Sequence, residues 1–348
     1  MSKAVWLNLL LGLAMTPAAT GTPAHTEQEA QNRRERVYFS ALDKEEKPVL
    51  GLSAADFELR IDGRRVAMEG FEGGRPPGDR SLPLVVWILL DANPNIQESV
   101  IRRQAEAAAG LFSMLHPDSA AGVKLVSDRV ETLAPLAHDP AALRAAFTAF
   151  GDRRALLQVG GEGTVVVGPG GLAGALQPAM EEIAGYVDGN PGLHGREVRR
   201  ALMIISDGNL NPGFSLKRFY SLAARDGLFL YPVLFPRFPY GLWAKDYLDV
   251  AGKTAGVGAV FGALQPGSEI LPLPRSETGA NALTANFIHM IRDLNGKYSF
   301  TVASPPAGRT IRIGLKCRVK GVRIRLPRKS VSSGEARVRP YGGVNPRR

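Results

Sequence analysis

The chain has 348 residues, of which 45% are hydrophobic, and a formal net charge of +10 at pH 7. This composition argues against disorder throughout and allows one sizeable α/β domain with one or two small modules. Because Cys317 is the single cysteine, the chain cannot form an internal disulfide bond, and its stability must come from a packed core.

The first residues have the pattern of a secretory signal peptide. Lys3 precedes an almost entirely apolar run from Ala4 to Met15, and small residues follow at 17–19. The run is shorter than the roughly 20 residues that a membrane-spanning helix needs. We therefore predict a signal peptide over residues 1–24 and an exported protein, periplasmic or at the cell surface, with no transmembrane segment after cleavage.

Residues 34–72 are predicted to form a small β module. The segment 37–42 is largely apolar and predicts a first strand. Apolar and polar residues alternate over 57–61, and the pair Asp62-Gly63 that follows is typical of a two-residue hairpin turn. The glycines and prolines of 73–81 offer few side chains to bury and predict a linker.

Strands and helices alternate over residues 82–294. Leu84 to Leu90 is apolar at every position, as a strand covered on both faces requires. Further strands are predicted at 123–127, 201–206 and 229–234, and helices at 101–115, 140–150, 172–186, 216–225 and 280–294. This alternation predicts an α/β fold with a doubly wound, mostly parallel sheet.

Two acidic residues come directly after predicted strands of this sheet. Asp91 follows the first strand, and Asp207 follows the strand at 201–206. Ligands of open parallel sheets bind beyond the carboxyl ends of the strands. We therefore expect Asp91 and Asp207 to meet at one rim of the sheet.

This placement resembles the von Willebrand factor A (VWA) domain. That family carries Asp-x-Ser-x-Ser after its first strand, a threonine on a central loop and an aspartate after its fourth strand, which together form a metal-ion-dependent adhesion site (MIDAS). The order of segments is also similar to a bacterial family of exported VWFA-related proteins first described in acidobacteria. In that family, a motif similar to Gly51–Phe57 precedes the hairpin, and the A domain follows. Ala251 to Gly256 resembles the late helix end and turn of that domain, and a β segment comes after it.

The resemblance implies a protein that binds other macromolecules through a divalent cation, Mg²⁺ or Mn²⁺. The metal ligands that it implies are Asp91, Asn93, Asn95, Thr164 and Asp207. Asn93 and Asn95 replace the two serines of the motif, so the implied site is degenerate.

A metal-free interpretation of the same residues stays open. Asn93 is a typical helix N-cap and Pro94 a favoured first helical residue, so both fit the start of a helix. Asp207 precedes Gly208 and also fits a turn.

No pattern in the sequence favours an enzyme. Gly252-Lys253-Thr254 resembles the end of a phosphate-binding loop, but Tyr247 stands where that motif needs a glycine. Neither His-Glu-x-x-His nor Gly-x-Ser-x-Gly occurs, and the histidines lie far apart without paired ligand spacing. We therefore expect no catalytic residues.

The positive charge is concentrated in the C-terminal segment 295–348, which has 14 Lys or Arg residues against the single acid Glu335. Apolar and mostly basic residues alternate over 311–319, and the turn at Lys320-Gly321 predicts a hairpin with the apolar residues of 322–326. In that hairpin Arg318 would face Arg323, and Lys316 would face Arg325. Opposed like charges weaken strand pairing, and an anionic partner would relieve them. The predicted anion-binding residues are Arg312, Lys316, Arg318, Arg323 and Arg325.

Two functions follow as expectations. The first is an exported adhesion or scaffold protein that binds a protein or an envelope macromolecule through a VWA domain. The alternative is a metal-independent structural or assembly protein of the cell envelope, which binds an anionic surface through the basic segment; a solvated positive face without a partner is also open. Predicted export and the lack of interleaved aromatic residues argue against nucleic acid.

Overall fold

The structure is a computed structural model. It describes residues 34–45, 47–75, 82–92, 109–110, 112, 115–127, 129–159, 171–206, 223, 227–234, 259–260, 288, 290–306 and 308–332. The predicted signal peptide and the predicted helix at 216–225 therefore lie outside the described residues, except for Ala223. In the described part of the chain, no helix has the length and apolar character needed to cross a membrane.

Strands predominate among the described elements. In chain order, these elements are β1 (Arg34–Leu42), β2 (Phe57–Ile61), β3 (Arg64–Val66), β4 (Glu69–Gly73), β5 (Leu84–Asp91), β6 (Ala120–Val126), β7 (Val130–Ala137), α1 (Pro140–Val159), α2 (Gly171–Gly189), β8 (Arg199–Ser206), β9 (Leu228–Leu234), β10 (Ala259–Val260), β11 (Lys297–Ala303), β12 (Thr310–Cys317), β13 (Arg323–Arg325) and β14 (Ser330–Ser332). A 3-10 turn at Ala54–Asp56 precedes β2.

The central sheet has six strands in the order β10-β9-β8-β5-β6-β7. All neighbours run parallel except β7, which pairs antiparallel with β6 at one edge. Apolar side chains of α1, such as Phe147, cover one face, and those of α2, such as Ile183, cover the other. The predicted α/β class with a doubly wound, mostly parallel sheet is therefore confirmed.

The two terminal β segments form one sandwich. Its sheets have the orders β13-β1-β11-β4 and β14-β12-β2-β3, so each contains strands from both ends of the chain. The core between them is aromatic: the ring of Phe39 lies 5.1 Å from that of Phe57 and 5.4 Å from that of Tyr298. Residues predicted as two separate small β segments thus share a single core.

The predicted pairing of the C-terminal hairpin is wrong. β12 pairs with β2, with Leu315 opposite Leu59, whereas β13 pairs with β1 in the other sheet. The turn at 319–322 therefore carries the chain from one sheet to the other. The reason is burial: the apolar side of β12 contributes Ile311 and Ile313 to the sandwich core, which a two-stranded hairpin alone could not enclose.

The first glycines of the predicted linker belong to the sandwich. Gly73 ends β4, and the Gly74 N–H donates to the Lys297 carbonyl at 3.0 Å. Gly74 has a φ of +61°, and a Cβ there would lie 2.1 Å from the Tyr298 ring. Glycine is needed because the backbone approaches that ring so closely; residues 76–81 lie outside the described residues.

Buried charged residues join the sandwich to the central sheet. Arg199, at the start of β8, is 1% exposed, and its Nη1 lies 2.5 Å from Glu197 Oε1. Its Nη2 donates to the Lys297 carbonyl at 2.9 Å, and its guanidinium carbon lies 5.0 Å from the centre of the Tyr38 ring. Arg36 of β1 also pairs with Glu197. The buried carboxylate of Glu197 thus pairs both with Arg199 of the central sheet and with Arg36 of the sandwich.

A second buried ion pair lies beside the first. Lys297 Nζ is 2.7 Å from Asp293 Oδ2, and the Tyr231 hydroxyl donates to the same oxygen at 2.6 Å. Burial lowers the pKa of Lys297, and Asp293 opposes that shift. Burial also raises the pKa of Tyr231 well above its ordinary value, and the charge of Asp293 adds to the rise.

Candidate functional site

The central sheet has a topological switch point between β5 and β8. From β5 the chain continues to β6 and β7 on one side, and later strands β8, β9 and β10 lie on the other. A crevice forms where strand order reverses in this way, at the carboxyl ends of the strands, and it is the usual ligand site of doubly wound sheets. The last residues of β5 and β8 are Asp91 and Ser206.

Asp91 and Ser206 are in direct contact, and we call this pair the rim site. The Ser206 hydroxyl donates to Asp91 Oδ2 at 2.6 Å, and both residues are buried. The pairing follows from the parallel register, which places Leu90 opposite Ile205 and so brings the next residues of both strands together. On the other side, Asp91 is in register with Val126 of β6. The rim site is a carboxylate and a hydroxyl held by three buried strands.

The structure describes one of the five predicted metal ligands. Asp91 lies at the predicted strand end, whereas Asn93, Asn95, Thr164 and Asp207 lie outside the described residues. Ser206, which precedes Asp207, was not among the predicted site residues. Its signal in the sequence is a hydroxyl residue at the last position of an otherwise apolar strand.

Asp91 and Ser206 offer the oxygen atoms that hard cations such as Mg²⁺ prefer. In the described ranges no group of three or more His, Cys, Asp and Glu side chains is arranged to hold a metal ion. The chemistry of this donor pair fits a hard divalent cation, to which Asp91 and Ser206 would contribute two oxygen ligands.

A second candidate site is the solvent side of the sheet that contains β12. Along β12, Ile311 and Ile313 are buried and the alternate residues point outwards. The register places Lys316 opposite Glu58, and Arg60 opposite Arg65. We call the resulting set the basic face; its members are Arg60, Arg65, Arg312, Lys316 and Arg318, all of which are exposed.

Acidic residues near the basic face have local partners. Glu58 accepts a 2.7 Å hydrogen bond from Arg60, which holds the pKa of Glu58 below its ordinary value. Hydrogen bonds from Ser53 lower the pKa of Asp56 in the same way. Asp62 accepts from the Arg312 backbone N–H at 2.8 Å. The five cations of the basic face outnumber these three acids, so the face keeps a net positive charge.

The basic face differs from the predicted set of anion-binding residues. Arg312, Lys316 and Arg318 belong to it, but Arg323 and Arg325 lie on β13, in the other sheet. In their place, Arg60 and Arg65 enter from β2 and β3. Local alternation could not identify these two arginines, because their position beside β12 depends on pairing between distant segments.

Comparisons with known proteins give likeness in structure but not in sequence. No protein-family model matches the chain, and a search of curated proteins gives no match. A von Willebrand factor type A structure from Catenulispora acidiphila is 11% identical with a TM-score of 0.41, over 86% of this chain and 74% of that chain. The mussel byssus proximal thread matrix protein 1 with a zinc-occupied MIDAS motif is 14% identical with a TM-score of 0.41, over 64% of this chain and 48% of that chain.

The conserved hypothetical protein BatB from Bacteroides thetaiotaomicron is 15% identical with a TM-score of 0.37, over 60% of this chain and 98% of that chain. Identities and TM-scores this low assign neither a family nor a function. The α/β class of the chain follows from its own strand order.

Proposed function

We propose that this chain is an exported, non-catalytic binding protein that recognises another macromolecule at the rim site, as the resemblance to VWA domains implies. The observation that carries the proposal is the contact between Asp91 and Ser206 at the switch point of a doubly wound sheet. A buried carboxylate is costly unless it is bonded, and this one stands at the carboxyl end of a central strand, where the ligands of such sheets bind. The absence of catalytic motifs from the sequence supports binding rather than catalysis.

A divalent cation is the cofactor that best suits this proposal. Asp91 and Ser206 would contribute two oxygens, and Asn93, Asn95, Thr164 and Asp207 are the further ligands that the resemblance implies. A bound Mg²⁺ or Mn²⁺ would offer an open coordination position to an acidic group of the partner. The chain's own part is to hold the two strand ends at a fixed separation.

Calorimetric titration of the purified chain with MgCl₂ or MnCl₂ tests the metal. We expect saturable heat that Asp207→Ala abolishes and that Glu69→Ala, an exposed acid on the sandwich, leaves unchanged. Asp91→Asn provides a second variant, and thermal unfolding shows whether each variant is folded. Absence of heat, with no effect of Asp207→Ala on binding to native envelope fractions, would overturn the metal-dependent form of the proposal.

A second candidate function is metal-independent assembly on an anionic envelope surface through the basic face. The observation that favours it is the set of five exposed cations that share one sheet face with Glu58. Exposed charges act over about 10 Å at 0.1 M salt, so this binding must weaken as salt rises.

Co-sedimentation with anionic and neutral phospholipid vesicles tests this function. Binding that high salt removes, that a chelator leaves intact and that Lys316→Ala weakens would support it. Arg323→Ala, an exposed arginine on the other sheet, is the matched control. Binding that a chelator removes and salt does not would favour the rim site instead.

A further inference from the structure

A groove opens beside β3, on the sandwich and away from the rim site. Its volume is about 360 Å³. Apolar residues such as Phe57, Val66 and Met68 line it together with three charged residues, Glu58, Arg65 and Arg318. Val66 is 38% exposed, which is high for a valine in a strand. The groove therefore combines apolar residues with two positive charges and one negative charge.

β3 ends its sheet and presents one open side. The turn at Asp62-Gly63 has two positive φ angles, +49° and +81°, as a type I′ hairpin requires. Ile61 and Arg64 flank this turn and are therefore hydrogen-bonded to each other, so the N–H and C=O of the next residue, Arg65, point away from β2. In the part of the chain that the structure describes, no strand pairs with that side of β3.

The charges around the groove favour an acidic occupant. Arg65 lies directly opposite Arg60, and like charges in such a pair oppose strand pairing. Arg60 is engaged with Glu58, which is itself one of the residues that line the groove. Arg318 Nη1 donates to the Ala55 carbonyl at 3.3 Å, which holds this guanidinium against the Ala54–Asp56 turn beside the groove. Because Arg60, Arg65 and Arg318 outnumber Glu58, an acid placed near Arg65 and Arg318 would still meet a net positive charge.

We propose that β3 and this groove bind an extended acidic segment of a partner protein by strand addition. The segment pairs its backbone with the outward N–H and C=O of Arg65, inserts an apolar side chain beside Val66 and Met68, and directs its acids towards Arg65 and Arg318. A polypeptide fits better than a lipid surface because only a polypeptide has a backbone that can extend the sheet. Arg65 and Arg318 also belong to the basic face, and the inference rests on the second proposed function only through these two residues.

Fluorescence anisotropy with short synthetic peptides tests the inference on the full chain. A peptide of alternating valine and glutamate should bind, and its valine–lysine counterpart should not. Arg65→Pro removes the outward N–H without interrupting the bonds to β2, and should weaken binding about three- to tenfold. Arg65→Ala keeps the backbone N–H and should remove mainly the salt-sensitive part of the peptide-binding free energy. Arg64→Ala is the matched control, because Arg64 is also exposed but its side chain lies on the opposite face of the sheet. This variant should change peptide binding little.

The outcomes separate this inference from the proposed function. Equal binding of the valine–glutamate peptide and a poly-glutamate peptide of the same charge, with no effect of Arg65→Pro, would overturn strand addition and leave the basic face as a charged surface. Binding to anionic vesicles without binding to the peptide would also overturn it. Failure of both ligands would count against the inference and the second function together. Thermal unfolding of Arg65→Pro and Arg65→Ala shows whether each is folded.

Discussion

The buried pair of Asp293 and Lys297 permits a quantitative test of how the sandwich is held to the central sheet. The side chain of Lys297 is 0% exposed and that of Asp293 is 4% exposed, with 2.7 Å between the charged atoms. Tyr231 donates to the same Asp293 oxygen. We expect Lys297→Met to be strongly destabilising, because it leaves a buried carboxylate with the Tyr231 hydroxyl but without its cation.

The magnitude follows from burial. Removing one partner of a buried ion pair costs about 3–5 kcal/mol. In the double variant Asp293→Asn with Lys297→Met, no charge remains and the asparagine oxygen can still accept from Tyr231. The double variant should therefore be more stable than the two single effects predict, by about 2–3 kcal/mol. Arg34 and Glu69 form an exposed pair with side chains 63% and 59% exposed, and their coupling should be only about 0–1 kcal/mol.

Urea unfolding of both double-mutant cycles measures the two coupling energies. Lys297 also determines how the stability changes with pH. Because burial lowers the pKa of Lys297, the folded state binds the proton of this side chain less readily than the unfolded state does. The destabilisation caused by Asp293→Asn should therefore shrink as pH rises towards the ordinary lysine pKa. A coupling energy for Asp293 and Lys297 no larger than that for Arg34 and Glu69 would refute this account of the junction.

Three further predictions concern other parts of the molecule. Burial raises the pKa of Glu72, and a hydrogen bond to Glu197 raises it further. The protonated form of Glu72 therefore stabilises the fold, and this stabilisation is lost as pH rises through the folded-state pKa. We expect Glu72→Gln to raise the melting temperature at about pH 7 and to have little effect at about pH 4. Gly74→Ala should lower the melting temperature because the new Cβ would meet the Tyr298 ring, whereas Gly185→Ala, on α2 with open space around it, should stabilise by about 0.5–1 kcal/mol in urea unfolding. Ser206→Ala should destabilise by about 1.5–3 kcal/mol, because it removes a hydrogen bond to a buried carboxylate, and an unchanged urea midpoint would contradict this.

The central sheet was predictable because its strands are continuous apolar runs. The predicted segments 84–90, 201–206 and 229–234 correspond to β5, β8 and β9, whose ends lie within two residues of the predicted ones. β7 was not predicted: it is an antiparallel edge strand with several exposed positions, so its sequence has no buried run. Burial on both faces leaves a local signal in the sequence, and an edge position does not.

The sandwich was not predictable as one unit because its pairings join the two ends of the chain. Arg34 lies opposite Ala303, and Ile61 lies opposite Ile313. Alternation shows which side of each strand is buried but does not name the strand beside it. For the same reason, Asp91 could be predicted from the end of its own strand, whereas its contact with Ser206 required the order of β5 and β8.

The position of the sandwich leaves the rim site and the basic face on separate parts of the molecule. The sandwich contacts the beginning of β8 and β9, through Arg199 and through the ring of Tyr38, which lies 4.9 Å from that of Phe229. Ser206 ends β8 at its opposite tip, about 20 Å further along at the usual rise per strand residue. Variants of sites so far apart, without shared partners, should have additive effects. If Asp91→Asn and Lys316→Ala together weaken binding to envelope fractions by more or less than the sum of their separate free energies, the two sites are energetically coupled and this reasoning is refuted.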